Sequence, residues 1–158
     1  MQQPKTYSVD EATRLLENYC VYRERCHKEI EQKLYDLKMI PEAKEKILLH
    51  LMQHNFLNEE RFAKAFVRGK FNIKKWGKIK ITNELKFRNI SAYNIKSALK
   101  EIDQNDYLTS LQQLADKKLP LIKESNSYKK SQKLSTYLIS KGYENNLVYE
   151  IVKNCVKY

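Results

Sequence analysis

His50 and His54 stand four residues apart, the spacing at which two imidazoles on one helix face can share a zinc ion. The helical zinc-protease pattern requires a glutamate directly after the first histidine, but Leu51 stands there and no third ligand is evident. Cys26 and His27 are adjacent, so on a helix their side chains diverge and form no nucleophile–base pair. Glu59 and Glu60 look like paired carboxylates, yet they follow Asn58 where a helix N-terminus favours negative charge. The three glycines are isolated and cannot build a phosphate-cradling loop. These residues do not point to an enzyme, and neither a cofactor nor a metal is expected.

The chemistry that does stand out is electrostatic. Residues 61–100 hold twelve basic side chains and one acid, Glu84, a net +11 that equals the charge of the whole chain. Elsewhere eighteen bases face eighteen acids. A face that needs only solubility interleaves Glu with Lys and gains i,i+4 pairs, whereas this stretch does not. A polyanionic or acidic partner follows, with Arg68, Lys70, Lys74, Lys75, Lys78 and Lys80 as its main contacts and Lys86 and Arg88 extending them. Phe71, Trp76, Phe87 and Tyr93 lie among these cations, where an aromatic ring either stacks on an unpaired base or fills space in the fold.

Helices must carry this surface. The chain has 158 residues, three Gly and three Pro, which favours an all-α fold with short connections. Ser8 with Glu11 forms a capping box, and Leu15, Leu16, Tyr19, Tyr22 and Cys26 then recur at helical spacing. Ile30, Leu34 and Leu37 mark a second helix. Pro41 opens a third, with Ile47, Leu48 and Leu51 as its stripe. Asn58 caps a fourth helix that runs to Trp76-Gly77, and a fifth spans Lys78 to Arg88. Ser91 caps a sixth, carrying Ile95, Leu99 and Ile102. At 100° per residue, Phe62, Phe66, Gly69 and Ile73 fall within roughly 60° as the core face of the fourth helix, with its cations on the far side.

A period emerges from these elements. Ile30 and Leu34 correspond to Ile81 and Leu85, then to Leu134 and Leu138, at offsets of 51 and 53 residues. Asn89 and Gly142 follow at equivalent places, and both residue types accept the left-handed conformation of a C′ residue; Lys38 takes that place in the first copy as a weaker terminator. The register fails at Lys44, which faces Ile95 and Val148. The chain therefore reads as a tail (1–8) and three tandem three-helix repeats (9–57, 58–104 and 105–158) in an elongated, curved array. Cys20, Cys26 and Cys155 are odd in number and lack framework spacing, which indicates free thiols. The polar start of the chain, with Pro4, and the lack of any apolar run near ~18 residues suggest a soluble, cytoplasmic protein with no membrane partner.

Asn55-Phe56-Leu57-Asn58-Glu59-Glu60-Arg61-Phe62-Ala63 resembles the central motif of RecX-family regulatory proteins, approximately Gly-Leu-Leu-Asp-Asp-x-Arg-Phe-Ala. Gly77-Lys78-Ile79-Lys80-Ile81-Thr82-Asn83-Glu84-Leu85 is similar to that family's Gly-x-x-x-Ile-x-x-Glu-Leu element. Asn55 stands in place of the motif Gly, and Asn58-Glu59 in place of the acidic pair. The resemblance implies three three-helix repeats and a monomeric modulator of the RecA recombinase. Such a protein clamps the groove of the RecA–single-stranded DNA filament and suppresses its ATP hydrolysis and strand exchange. The basic residues named above would then meet acidic RecA side chains or filament DNA, and Lys75→Glu with Lys78→Glu is the expected disabling change. The alternative is a stand-alone module that binds single- or double-stranded nucleic acid.

Overall fold

A computed structural model describes residues 5–157; the first four residues of the expected tail lie outside the described residues. Nine α-helices and no strands occur among them. They are α1 (Val9–Tyr22), α2 (His27–Asp36), α3 (Pro41–Gln53), α4 (Glu59–Asn72), α5 (Lys78–Phe87), α6 (Ala92–Leu99), α7 (Gln104–Lys118), α8 (Ser127–Ser140) and α9 (Asn145–Cys155). A 3₁₀ turn, Leu119–Leu121, follows α7. None is long and apolar enough to cross a membrane.

The caps act where the sequence places them. Ser8 and Glu11 bond each other's backbone N–H at 3.1 and 3.2 Å, Asn58 Oδ1 accepts from Arg61 N–H at 2.9 Å, and Ser91 Oγ accepts from Asn94 N–H at 3.1 Å. Each such cap contributes about 1 kcal/mol by satisfying a donor the first turn leaves free.

The three units repeat one design. In each, the first and third helices pack closely: α1 on α3, α4 on α6, α7 on α9. Ile30/Leu34, Ile81/Leu85 and Leu134/Leu138 are all fully buried, each side chain gaining about 1.5–3 kcal/mol from leaving water. Lys38, Asn89 and Gly142 end the middle helices at φ of 58°, 60° and 99°. The next N–H in each unit (Met39, Ile90, Tyr143) then returns to the carbonyl of Leu34, Leu85 or Leu138. Asn55 also takes a positive φ of 62° after α3, the conformation for which the related motif keeps glycine.

Several sequence expectations are corrected. Helix α1 buries Ala12, Leu16 and Cys20, while Leu15 and Tyr22 are exposed; Cys26 lies beyond it as the N-cap of α2. The mismatch at Lys44 is a rotation of one residue. Helix α3 begins its buried stripe at its third residue, Ala43, and continues through Ile47 and Leu51, whereas α6 and α9 begin theirs at the fourth, Ile95 and Val148. Helix α4 stops at Asn72, four residues short of Trp76, because the chain turns at Lys75 with φ 60°. Its core face is Phe62, Ala63, Val67 and Phe71. Phe66 is only partly buried and Ile73 is 78% exposed. The i,i+4,i+8 stripe of Ala63, Val67 and Phe71 meets α6, and the Phe66–Gly69–Ile73 stripe is left beside the α1–α2 corner.

The first unit has a core of its own around Leu16, Ile30, Leu34, Ile47 and Leu51. The second and third share one continuous core, with Cys26 inserted from the first. The accessible surface is 10626 Å², against about 8,300 Å² expected for a compact monomer of this mass, so the array is extended.

Candidate polyanion-binding face

Three of the cations in the basic stretch are committed to the fold. The Arg61 guanidinium pairs with Glu24 at 2.5 Å and donates to the backbone carbonyls of Asn55 and Phe56, closing the end of α3 against α4. Lys64 bridges Glu60 at 3.0 Å and Glu101 at 3.8 Å. Arg88, placed in the binding set by the sequence, pairs with Glu84 at 2.9 Å and packs 4.9 Å from the Phe66 ring.

The others have no carboxylate within ion-pair distance among the described residues. Arg68, Lys74, Lys75 and Lys86 are exposed. Lys70, Lys78 and Lys80 are half-buried against rings. Lys70 and Lys80 lie 4.9 and 4.5 Å from the Trp76 ring, and Lys78 lies 4.7 Å from that of Tyr107. Each such contact is worth about 0.5–1 kcal/mol and holds an ammonium in place without neutralising it. Lys78 is therefore less suited to charge reversal than expected, since a carboxylate there would confront Tyr107 and its neighbour Glu144. The free pair is Lys74 and Lys75.

The four aromatics separate. Phe71 is core, 5.9 Å from Tyr107, so it cannot stack on a base. Trp76 lies against two lysines, and Phe87 carries Lys28 at 3.8 Å. Tyr93 is 78% exposed.

What fixes the turn between α4 and α5 comes from the third unit. Gly77 N–H donates to the Lys141 carbonyl at 2.7 Å, and Ile79 N–H to that of Gly142 at 2.9 Å. Lys78 N–H donates to Tyr107 Oη at 2.9 Å, and that hydroxyl donates to Glu144 Oε1. Tyr143 Oη donates to the Lys75 carbonyl at 3.0 Å and lies 3.0 Å from Ser110 Oγ. Tyr107 and Tyr143 are fully buried and stack at 5.0 Å. The C-terminus of α8 thus abuts the N-terminus of α5, where opposite helix-dipole ends attract. Gly77, Lys78 and Ile79 use their free N–H groups internally, so phosphate must be met by side chains. Sequence reasoning missed Tyr107, Ser110, Gly142 and Glu144 as supports; the only signal was a polar-tipped Tyr143 at a repeat position filled elsewhere by Met39 and Ile90.

Burial first, and then the bond to Glu144, push the Tyr107 phenol well above its ordinary range. Burial raises Tyr143 as well. Because folding holds these phenols neutral, their stabilisation is complete below about pH 10, the unfolded value, and is lost as pH rises above it. Unfolding free energy measured in urea from pH 8 to 12 should fall steeply above pH 10, and Tyr107→Phe should flatten that fall. An equally steep fall in the variant would refute the coupling.

A second basic stretch also escaped the sequence reading. Residues 117–141 hold seven lysines and one acid, Glu124, which pairs with Lys133 at 3.0 Å. The end of this stretch meets the start of α5 through the backbone: the Lys141 carbonyl accepts from Gly77 N–H, and Gly142 lies against Lys80. The rings of His50 and His54 lie 4.4 Å apart. His50 Nε2 is 3.9 Å from Glu17, too far for a hydrogen bond, and no cluster of three potential ligands gathers there among the described residues. Cys20 and Cys26 are buried free thiols, and burial raises both, Cys20 to about 11.

Comparison with known proteins bears on this arrangement. The family model of the RecX second three-helix domain matches residues 58–99, and that of the RecX third three-helix domain matches residues 105–152. A Regulatory protein RecX from Clostridium perfringens (strain 13 / Type A) is 30% identical over 131 residues, 82% of this chain and 61% of that protein. One from Clostridium beijerinckii is 30% identical over 146 residues, 91% of this chain and 66% of that protein. The chain thus spans under two thirds of the length of these curated relatives. A crystal structure of regulatory protein RecX shares the fold at a TM-score of 0.83 and 24% identity, covering 92% of this chain and 73% of that one. RecX from Lactobacillus salivarius does so at 0.82 and 22% identity, covering 92% and 95%.

Proposed function

The chain belongs to the RecX family of regulatory proteins, and on that premise we propose that it docks on a RecA–single-stranded DNA filament and lowers its ATP hydrolysis and strand exchange. It does so as a cytoplasmic monomer and without chemistry of its own. The observation that carries this reading is the row of cations without acid partners on the α4–α5 corner: Arg68, Lys70, Lys74, Lys75, Lys78 and Lys80. The third unit braces this row through the backbone carbonyls of Lys141 and Gly142. A rigid, one-signed surface on an extended array suits a long grooved target that contains a polyanion. The relatives' shared name, Regulatory protein RecX, supports a regulatory rather than enzymatic role.

The experiment is the ATPase of RecA on single-stranded DNA, titrated with this protein. Hydrolysis should fall progressively as the protein is added. Unchanged hydrolysis at a several-fold excess over RecA would refute the reading. The lysine-rich stretch 117–141 and the open Tyr93 favour a second reading, a module that binds nucleic acid on its own. That module would bind bare DNA tightly at physiological salt and show a steep salt dependence.

A further inference from the structure

Gly69 is the position of α4 that the fold does not account for. It lies inside the helix with no positive φ, where alanine is the more favourable residue. A Cβ built there would meet no neighbouring group within 4 Å. Neither the backbone nor the packing of this chain calls for glycine, so the missing side chain leaves room for something outside it.

That room belongs to a groove. A cavity of about 310 Å³ lies between α4 and the α1–α2 corner. Its walls are mostly apolar: Phe62, Ala65, Phe66 and the exposed Ile73 beside Gly69. Its rim carries Lys70 and Lys74, neither with an acid partner among the described residues, and Arg23, which pairs with Glu29 at 3.4 Å; its one acid, Glu24, is held by Arg61 through one carboxylate oxygen.

We propose that this groove docks a segment of a partner protein bearing one large apolar side chain flanked by carboxylates, its backbone crossing α4 at Gly69. The volume suits a single leucine- or phenylalanine-sized anchor, which is how small grooves concentrate binding energy. The cationic rim selects acidic flanks, and a missing Cβ permits close backbone approach. A phosphate backbone matches the rim but not the apolar walls, so the observations favour protein over nucleic acid. The proposal rests on the filament reading only for the source of the segment.

The test has two arms. In the first, fluorescein-labelled Asp-Asp-Leu-Phe-Glu-Asp and a twin with serine replacing both apolar residues are titrated with the protein and followed by anisotropy. The wild type should bind the apolar peptide at least tenfold more tightly than the twin. Gly69→Leu, which fills the groove, and Ile73→Ser, which removes an exposed wall, should each erase that preference. Gly69→Ala should raise the melting temperature by about 2–4 °C, which shows that glycine is not kept for stability. Equal binding of both peptides, or an undiminished preference in Gly69→Leu, would overturn the proposal. In the second arm the same variants are added to the RecA ATPase. If Gly69→Leu inhibits at full potency while reversal of Lys74 and Lys75 abolishes inhibition, the groove proposal fails and the filament reading stands. If the peptide preference holds but the wild type leaves RecA unaffected, the groove stands and the filament reading fails.

Discussion

Gly77→Ala should lower the unfolding free energy by about 3 kcal/mol and separate the third unit from the second. A Cβ on Gly77 would lie 2.3 Å from the carbonyl carbon and oxygen of Gly142 and 2.4 Å from the Tyr143 nitrogen. All three are backbone atoms, so no rotamer change relieves the clash. The junction must open, and overpacking of this kind costs about 1–3 kcal/mol or more. Opening it also strains the bonds from Gly77 and Ile79 to Lys141 and Gly142 and the tyrosine network behind them. Urea unfolding is the measurement. A large drop in midpoint is expected, with the two probes, tyrosine burial and helix content, no longer coincident. A midpoint within error of wild type would contradict the close approach of the two glycines.

Reversal of Lys74 and Lys75 to glutamate should weaken filament binding by about 1.5–3 kcal/mol, roughly ten- to hundredfold, and leave folding intact. Both side chains are exposed, neither has an acid partner among the described residues, and each reversal converts attraction into repulsion. Matching Arg88→Glu should behave differently. It breaks the Glu84 pair and the packing on Phe66, so its main effect should be lost stability. Inhibition of RecA ATPase by the double variant at wild-type potency would show that the α4–α5 corner is not the contact surface.

The repeat was legible because it is written in residue types whose physics is local. Ile81 and Leu85 announce a buried face by spacing, Asn58 and Ser91 announce helix starts, and Asn89 and Gly142 tolerate the turn that ends a helix. The charge was legible for the same reason. What periodicity could not reveal was the choice between two apolar stripes on α4, because Ala63, Val67 and Phe71 compete with Phe66, Gly69 and Ile73 until α6 selects one. Nor could it distinguish Arg88 from Lys75, since a cation's freedom depends on whether an acid comes within reach. The bracing of the basic turn was least visible of all. Lys78 meets Tyr107 and Lys75 meets Tyr143 across 29 and 68 residues of chain, and no local pattern announces such a pairing.

The central claim is that the basic face is built for a RecA filament and not for bare nucleic acid. The most direct test compares binding of the fluorescently labelled protein to RecA-coated and to uncoated single-stranded DNA, side by side at about 150 mM salt, where exposed-charge attraction is largely screened beyond ~8 Å. The account predicts that the coated strand is bound far more tightly, and that the advantage shrinks when Lys74 and Lys75 are reversed. Equal or tighter binding to the uncoated strand would contradict it.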